Sequence, residues 1–399
     1  MPIVSIRKTH GDDYPAIRET VNQVLTDLGG LSDIIKPGYK VIIKPNLVAP
    51  PTERLSGGIS RWEVCKALVE AVRAEGATPI IAESAAAGVD TELVIQACEY
   101  QQLRDEGIPV IDLKAEQATC DIPVEHGTQL QSFKSWELVR DADAIITVPV
   151  MKTHDQTEVT LGMKNCKGLL TDVQKKQFHT IQLVECVCDM IQTLKPVLEI
   201  IDGTYGQQGY GPIYGETKRM DLIVGSKDLV ACETITSRIM GYEPAEVMIT
   251  KTAYERGLGE MDLSKIQVVG ETVESVQSRF KRSSEVEIEG LPASFQRIFD
   301  KHACTGCYNT VISALMDMRD LGMLDQLENK TVCVGPVTED QLPEGASPEN
   351  TACVGRCAKK LADAKGFRCA IGCPPNNANA IQAMTGDRNY GDRYATNKA

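Results

Sequence analysis

The chain has 399 residues and a formal net charge of −13, with 42% hydrophobic and 24% charged residues. This length suggests two or three globular domains at ~100–200 residues each, and no apolar run approaches the ~18 residues of a membrane span. The N-terminus lacks an apolar signal segment, and the negative charge disfavours nonspecific binding to polyanions. We therefore expect a cytoplasmic protein that binds neither nucleic acid nor membranes and captures any anionic ligand locally.

Residues 40 to 275 repeat one pattern, in which a short apolar run ends in a polar residue and a helical segment follows. The runs are KVIIKPN, ATPIIAES, GIPVIDLK, DAIITVPVMK, VLEIIDGT, MDLIVGS and IQVVG. Continuous Val/Ile-rich runs that alternate with helices are typical of parallel strands covered on both faces. The pattern predicts an α/β domain over residues 1–285, with a mostly parallel sheet and helices on both faces.

Polar residues follow several of these runs, and parallel sheets bind ligands beyond the carboxyl ends of their strands. Lys44 and Asn46 follow the first run, and Lys152 and His154 follow the fourth. A polar loop is the simplest interpretation, but strand-end lysines on two strands of an acidic protein can direct two ammonium groups into one cleft. We therefore predict that these two segments line a site for a small anion.

The segment from residue 148 to residue 170 places more cations beside glycine. Its second half, TLGMKNCKGLL, contains Lys164, Asn165 and Lys167. Glycines let backbone N–H groups approach a ligand, and lysines offer mobile cationic donors for carboxylate or phosphate. A solvated basic loop, in which His154 bonds a nearby backbone group, is the alternative interpretation.

Five motifs occur in a fixed order: KPN, PVMKTH, MKNCKGLL, IIDGTYGQQGYGP and SKDLVACETI. Together they resemble the family called domain of unknown function 362, over about residues 40 to 240. The family's signatures fall on Lys44 to Asn46, Lys152 to His154, Lys164 to Asn165, and Asp202 to Gly203. Glu233 departs from the pattern, because the family more often has aspartate there. Members often carry iron–sulfur modules, so the resemblance implies redox work without naming a reaction.

Roles for these residues follow from their chemistry. His154 is the candidate proton donor, because an unperturbed imidazole pKa of ~6.5 suits proton exchange near neutrality, and Lys152 is the second catalytic candidate. Asp202 and Glu233 are expected to orient the lysines or bind a metal. The predicted substrate-binding residues are Lys44, Asn46, Lys164, Asn165, Lys167, Asp202, Gly203 and Glu233.

The glycine-rich piece DGTYGQQGYGPIYG matches neither a dinucleotide-binding nor a phosphate-loop pattern. Pro212 interrupts it, no Gly-Lys-Ser/Thr follows, and no helix opens directly after it. We expect a loop over the cleft.

Half of the 14 cysteines lie in the last 100 residues, which predicts a Cys-rich domain over residues 286–399. A Cys-x-x-Cys pair at a helix start supplies two thiolates in one turn, and the last cysteine precedes proline, as in ferredoxin-type runs. Three others lie in apolar strand-like runs, where burial is the commoner fate: Cys333, Cys353 and Cys369. The expected ligands of a 4Fe-4S cluster are Cys304, Cys307, Cys357 and Cys373.

Zinc is the alternative cofactor, because it takes four thiolates at similar spacing. Zinc knuckles, however, usually pair two close Cys-x-x-Cys hairpins, whereas here the second pair is split by 15 residues and ends in Cys-Pro. This spacing favours the iron–sulfur cluster.

The leading hypothesis is an oxygen-sensitive iron–sulfur oxidoreductase. Its C-terminal cluster is expected next to a Lys/His-lined pocket for a small anionic substrate or cofactor, with a separate protein as a possible electron donor. One alternative is a non-catalytic electron-transfer or accessory protein for a partner enzyme. Another is a zinc-stabilised, non-redox transferase or isomerase. The sequence names no substrate.

Overall fold

The computed structural model describes residues 1–212, 215–303, 305–387 and 390. The chain divides into two compact units. The first contains residues 1–154, 159–175 and 184–281, and the second contains residues 155–158, 176–183 and 282–399. The main division thus falls between Lys281 and Arg282, and two short segments from earlier in the chain join the second unit.

Twelve strands are described before residue 282. They are β1 (Ile3–Lys8), β2 (Lys40–Pro45), β3 (Thr78–Glu83), β4 (Val110–Asp112), β5 (Thr119–Pro123), β6 (Ser132–Trp136), β7 (Ala144–Val148), β8 (Val150–His154), β9 (Glu158–Thr160), β10 (Leu198–Gln208), β11 (Glu216–Ser226) and β12 (Gln267–Gly270). Six of the seven apolar runs each overlap one of these strands, and the fourth, DAIITVPVMK, spans β7 and the first part of β8.

The α-helices described in the same part of the chain alternate with the strands. They are α1 (Tyr14–Asp27), α2 (Trp62–Ala74), α3 (Thr91–Ala97), α4 (Gln101–Asp105), α5 (Glu137–Arg140), α6 (Gly162–Asn165), α7 (Asp172–Ile181), α8 (Leu183–Leu194), α9 (Leu229–Ile239), α10 (Met248–Glu255) and α11 (Val273–Val276). Side-chain caps fix several starts: Asp13 accepts from Ala16 N at the beginning of α1, and Asp228 accepts from Ala231 N at the beginning of α9.

The main sheet has the order β12-β1-β11-β10-β7-β2-β3-β4, with β8 paired to β10 and β9 paired to β8. The pairs β10–β7, β7–β2, β2–β3 and β3–β4 are parallel. Strand β11 runs antiparallel to both β10 and β1. The predicted α/β class with a mostly parallel sheet is confirmed, with one antiparallel strand inserted near an edge.

Helices cover both faces of this sheet. One face packs on α1 and α2, where Val41 and Ile43 of β2 join the same apolar cluster as Val21 and Leu68. The other face packs on α9, where Val224 and Ile235 share a second cluster. Coverage of both faces explains why the strands are continuously apolar rather than alternating.

The glycine-rich segment was predicted as a loop, and for its first half this prediction is wrong. Residues 202–208 continue β10 and pair with β11 as far as Gln208 opposite Glu216, with a register shift between Gly203 and Tyr205. Gly206 of this segment packs closely against Gly57 of an earlier loop. A Cβ on Gly57, which has φ of +73°, would clash with Gly206 O. Extended backbone at glycine carries no side-chain signal for a strand, so the sequence pattern missed it.

The second unit contains a four-stranded, fully parallel sheet of order β13-β14-β15-β16. Its elements are β13 (Gln296–Phe299), α12 (Thr305–Asp320), β14 (Thr331–Val334), β15 (Thr351–Val354), α13 (Lys359–Lys365), β16 (Arg368–Ala370) and α14 (Asn377–Thr385). Helices α12 and α14 pack on one face through residues such as Leu315 and Ile381. Helix α13 packs on the other face through Leu361 and Ala362.

Within the described ranges, no helix has both the length and the apolar character required to cross a membrane.

Candidate functional site

Lys44 lies at the end of β2, where protein acceptors enclose its ammonium group. Its Nζ donates to Glu83 Oε2 at 2.7 Å, to Pro45 O at 2.5 Å and to Asn165 Oδ1 at 3.1 Å. The Lys44 and Glu83 side chains are only 1% and 4% exposed. The pair is therefore a buried salt bridge whose positive charge is balanced within the protein.

Glu83, at the end of the neighbouring strand β3, has protein donors on both oxygens. Oε2 also accepts from Leu47 N at 2.9 Å, and Oε1 accepts from Ser84 N at 2.7 Å. Gly168 permits the close packing around the pair, because a Cβ there would lie 2.1 Å from Glu83 Oε1 and 2.6 Å from Lys44 Nζ. This glycine makes room for the salt bridge rather than for a ligand.

Two asparagines connect Lys44 with Lys152. Asn165 Oδ1 accepts from Asn46 Nδ2 at 3.0 Å as well as from Lys44, and Asn165 Nδ2 donates to Thr147 Oγ1 at 3.0 Å. Asn46 Oδ1 accepts from Lys152 Nζ at 2.8 Å. The lysine network, as we call Lys44, Asn46, Glu83, Lys152 and Asn165, thus joins residues from three of the sequence motifs.

Lys152 lies in β8 with its side chain fully buried. Its Nζ donates to Gly58 O at 2.7 Å and to Pro212 O at 3.2 Å in addition to Asn46. All three acceptors are neutral, and no carboxylate among the described residues forms an ion pair with it. Burial lowers the pKa of Lys152 well below its ordinary value, and the nearby charge of Lys164 lowers it further. This amine therefore loses its proton more readily than an ordinary lysine.

His154, at the end of β8, lies beside Lys164 of α6. The distance from Lys164 Nζ to His154 Nε2 is 3.2 Å, which suits a neutral imidazole that accepts from the ammonium. His154 is 7% exposed. Since Lys164 also acts on Lys152, three ionisable nitrogen groups lie near one another in the first unit.

Asp202 and Gly203 lie in β10 and have packing partners of their own. Asp202 Oδ2 accepts from Arg61 N at 2.8 Å, and Oδ1 accepts from Thr204 Oγ1 at 2.7 Å. Burial raises the pKa of Asp202. A Cβ on Gly203 would lie 2.8 Å from Met151 Cε. Asp202 is connected to the lysine network indirectly, through the backbone of Ser60 and Arg61. Asp202 accepts from Arg61 N, and Ser60 Oγ, one residue earlier, accepts from Asn46 N.

Glu233 of α9 lies near Glu199 of β10, and we call these two residues the glutamate pair. Glu199 Oε1 accepts from Gly162 N at 2.6 Å, and Glu233 Oε1 accepts from Met163 N at 2.7 Å. Thr250 Oγ1 donates to Glu233 Oε2 at 2.9 Å. The two side chains are 0% and 2% exposed. The pair holds the first two backbone N–H groups of α6, the helix that carries Lys164 and Asn165.

The glutamate pair has no cationic partner in the described part of the chain. Burial raises the pKa of Glu199 well above its ordinary value, with further effect from the charge of Glu233, and burial raises the pKa of Glu233 to about 7. Glu199 Oε2 is buried without a hydrogen-bond partner among the described atoms. Two buried carboxylates without a counter-ion are strongly disfavoured, so the pair retains a proton at neutral pH.

Lys167 is buried at 9% exposure in the short 3-10 turn Cys166–Leu169.

In the second unit, the chain segments that contain three of the predicted cysteines lie in contact. A Cβ on Gly355 would lie 2.8 Å from Cys307 Sγ, and a Cβ on Gly306 would lie 3.3 Å from Pro374 Cγ. Arg356 N donates to Gly372 O at 2.9 Å. These contacts join the loops on either side of Cys307, Cys357 and Cys373.

The side chains of these cysteines differ in exposure: Cys307 is buried, Cys373 is half-buried and Cys357 is exposed. Cys304, the fourth predicted ligand, lies outside the described residues. Among those that are described, no three Cys, His, Asp or Glu side chains are grouped closely enough to hold a metal ion. Thiolates are suitable donors for an iron–sulfur cluster, and the predicted four-cysteine site stays a prediction.

Two acidic residues of this region were missing from the predicted site, Glu83 and Glu199. Glu199 had a readable signal, because it is a lone glutamate inside the apolar run VLEIIDGT. Such a residue is rarely buried unless it has a specific partner. Glu83 ends a predicted strand, but its partner Lys44 is 39 positions away, and only the parallel pairing of β2 and β3 brings them together.

The chain is thus an α/β protein in which a buried lysine network and a glutamate pair meet at the short helix α6. Residues 41–238 match the family model described as Domain of unknown function (DUF362), so the resemblance to this family is confirmed over that segment. The chain is also similar to Thylakoid-associated protein sll1697 of Synechocystis sp., with 26% identity over 265 residues that cover 63% of this chain and 78% of that protein.

Among solved structures, the lactate racemase apoprotein from Thermoanaerobacterium thermosaccharolyticum matches with 14% sequence identity and a TM-score of 0.34. That match covers half of each chain.

Proposed function

We propose that this protein is an iron–sulfur redox protein. Its second unit binds a 4Fe-4S cluster through Cys304, Cys307, Cys357 and Cys373, and its first unit binds a small anion beside Lys152, Lys164 and His154. When bound, such a cluster supplies one-electron transfer. The anion is the proposed substrate or cofactor of that redox chemistry.

The observation that supports this proposal is the contact between the three segments that contain Cys307, Cys357 and Cys373. Cys307 lies in the first turn of α12, where the positive end of a helix favours a thiolate. Gly355 lies against Cys307 Sγ, and Arg356 bonds the backbone of Gly372. Thiolates that come from separate loops near a helix start are the usual supply of iron–sulfur ligands.

The anion site is supported by the charges around β8. The acceptors of Lys152 in the described part of the chain are all neutral, and the charge of Lys164 opposes its protonation. A bound anion would offset this repulsion and raise the pKa of Lys152. His154, in contact with Lys164, is the group that would exchange a proton with the ligand.

Metal and sulfide analysis of protein purified without oxygen tests the cluster. We expect about four iron and four sulfide per chain and a brown colour that bleaches on reduction. Cys307→Ser and Cys373→Ser should lower the iron content strongly. Cys120→Ser is the matched control, because Cys120 is a half-buried cysteine of the first unit. A colourless protein with stoichiometric zinc, or iron that survives both substitutions, would contradict the proposal.

Proton NMR of the imidazole groups tests the anion site with inorganic phosphate and acetate as probes. The signal of His154, assigned from the His154→Gln variant, should shift on titration with a binding anion. Lys164→Met should abolish this shift and leave the iron content unchanged. Lys66→Met is a control, because Lys66 lies in α2 and pairs with Glu106. An equal shift in wild type and Lys164→Met would exclude this site.

A further inference from the structure

Three cysteines that the cluster does not use lie side by side across the second sheet. The register pairs Cys333 of β14 with Cys353 of β15, and Cys353 with Cys369 of β16. Directly paired residues of neighbouring strands project their side chains from the same face. We call these three residues the cysteine row.

The cysteine row lies on the face that α13 covers. Cys333 and Cys353 are fully buried in an apolar cluster with Leu361 and Ala362, and Cys369 packs at its margin. Strand β16 is the last strand of the sheet, and Cys369 is half-buried there. The row therefore leads from the sheet interior to an edge that is partly open to solvent.

The two inner thiols interact directly. The proximity of the two groups lowers the pKa of Cys333 and raises that of Cys353. Neighbouring strands lie ~4.8 Å apart, within the ~4.4–6.8 Å range of Cα separations that a disulfide bond spans. All three are free thiols in this structure, so the inner pair can exist as a dithiol or as a disulfide.

We propose that Cys333 and Cys353 form a redox-active dithiol, which a low-molecular-weight disulfide such as glutathione disulfide oxidises through Cys369. Cys369 is the entry point because the two inner sulfurs are shielded from solvent. This site is independent of the proposed cluster.

Each step of the exchange is an attack of one thiolate on a disulfide sulfur. Cys369 attacks the external disulfide, whose S–S bond breaks and releases one thiol. Cys353 then attacks the Cys369 sulfur and releases the second external thiol. Cys333 finally attacks the Cys353 sulfur, and Cys369 returns to its thiol form. In total, two protein thiols are oxidised to one disulfide, and the external disulfide is reduced to two thiols.

The sequence offers a direct readout of this chemistry. Trypsin cuts after Lys330 and Arg356, and the peptide between them contains Cys333 and Cys353 but neither Cys357 nor Cys369. The native protein, purified without oxygen, is incubated with glutathione disulfide, and its free thiols are blocked with N-ethylmaleimide before digestion. Oxidation yields a peptide that is lighter than the dithiol form by two hydrogens and carries no blocking group.

In wild type we expect this peptide to become the disulfide form. The Cys369→Ala variant should form it roughly tenfold more slowly or worse, because access limits thiol exchange. Cys120→Ala, which alters a half-buried cysteine outside the row, should behave as wild type. Thermal melting of each variant verifies that it is folded.

Two results would overturn the proposal. One is a peptide that remains a dithiol while exposed Cys357 forms a mixed disulfide with glutathione. The other is an equal rate of oxidation in Cys369→Ala and wild type. Iron content, measured on the same samples, keeps the two proposals separate: a protein without iron that still forms the disulfide refutes only the cluster, whereas iron loss in Cys333→Ala would assign the row to metal binding and refute the dithiol.

Discussion

Two buried groups of charged residues contact opposite ends of the short helix α6, and of these only the salt bridge between Lys44 and Glu83 is electrically balanced. At the C-terminal end, Asn165 accepts a hydrogen bond from Lys44, whose charge the Glu83 carboxylate balances. At the N-terminal end, the N–H groups of Gly162 and Met163 bond the glutamate pair, which has no cationic partner among the described residues. The two ends of α6 are therefore held by groups whose charge responds differently to pH.

The salt bridge between Lys44 and Glu83 stabilises the fold only while both partners are present. The glutamate pair depends on a proton instead of a partner, so its contribution changes as that proton is lost. Helix α6 presents Lys164 beside His154, so the state of the glutamate pair bears on how firmly the proposed anion site is held.

Breaking the balanced cluster should have the largest effect. Glu83→Ala leaves the buried Lys44 ammonium without a counter-charge and removes the acceptor of Leu47 N. We expect the free energy of unfolding to fall by about 3–5 kcal/mol, as when a buried ion pair loses one partner. Urea denaturation at pH 7 measures this loss.

A double variant provides the control. In Lys44→Met/Glu83→Leu both charges are replaced by apolar groups, and we expect it to be more stable than Glu83→Ala, because no unbalanced charge remains. If the double variant is the less stable of the two, the charge balance of the lysine network is not what stabilises it.

The second prediction concerns the unbalanced cluster and pH. Burial raises the pKa of Glu199 in the folded state, so its stabilising contribution is complete below the unfolded pKa of ~4.5 and declines as pH rises toward the folded pKa. Glu199→Gln keeps the shape and needs no proton. Relative to this variant, wild type should become less stable as pH rises above 5, by at most ~1.4 kcal/mol per pH unit, for as long as folded Glu199 keeps its proton.

Denaturation of both proteins at several pH values measures this difference. Glu116→Gln is the control, because Glu116 is exposed in the loop after β4, and its curve should run parallel to that of wild type. A Glu199→Gln curve that is also parallel to wild type would mean that Glu199 is ionised throughout this range.

The balanced cluster was easier to read from sequence than the unbalanced one. The motif KPN places Lys44 and Asn46 at the end of a strand, where residues of a parallel sheet converge, and the cations and glycines of TLGMKNCKGLL indicate Asn165 for the same site. The partner of Lys44 could not be read, since Glu83 is no different in sequence from any other strand-end carboxylate. Glu199 was missed because an apolar strand pattern tolerates one polar residue without revealing what it bonds.

The order of the strands in the sheet also could not be predicted from hydrophobic periodicity. Apolar runs locate β2, β3, β7 and β10, but the insertion of the antiparallel strand β11 between β10 and β1 depends on pairing across the sheet. The glycines that precede it suggested a loop because they carry no side-chain pattern. Their crowded surroundings, such as Gly206 against Met151 O, exist only in the assembled fold.

The smallest expected effect concerns one hydrogen bond of the glutamate pair. Thr250 Oγ1 donates to Glu233 Oε2 and lowers the pKa of this carboxyl from the higher value that burial alone would give. Thr250→Val keeps the shape but removes the donor, so the carboxylate form loses more than the protonated form does. We expect a cost of about 1–2 kcal/mol at pH 8 and a smaller cost at pH 5. Equal costs at both pH values would indicate that Glu233 does not change its protonation in this range, and the glutamate pair would then hold α6 independently of pH.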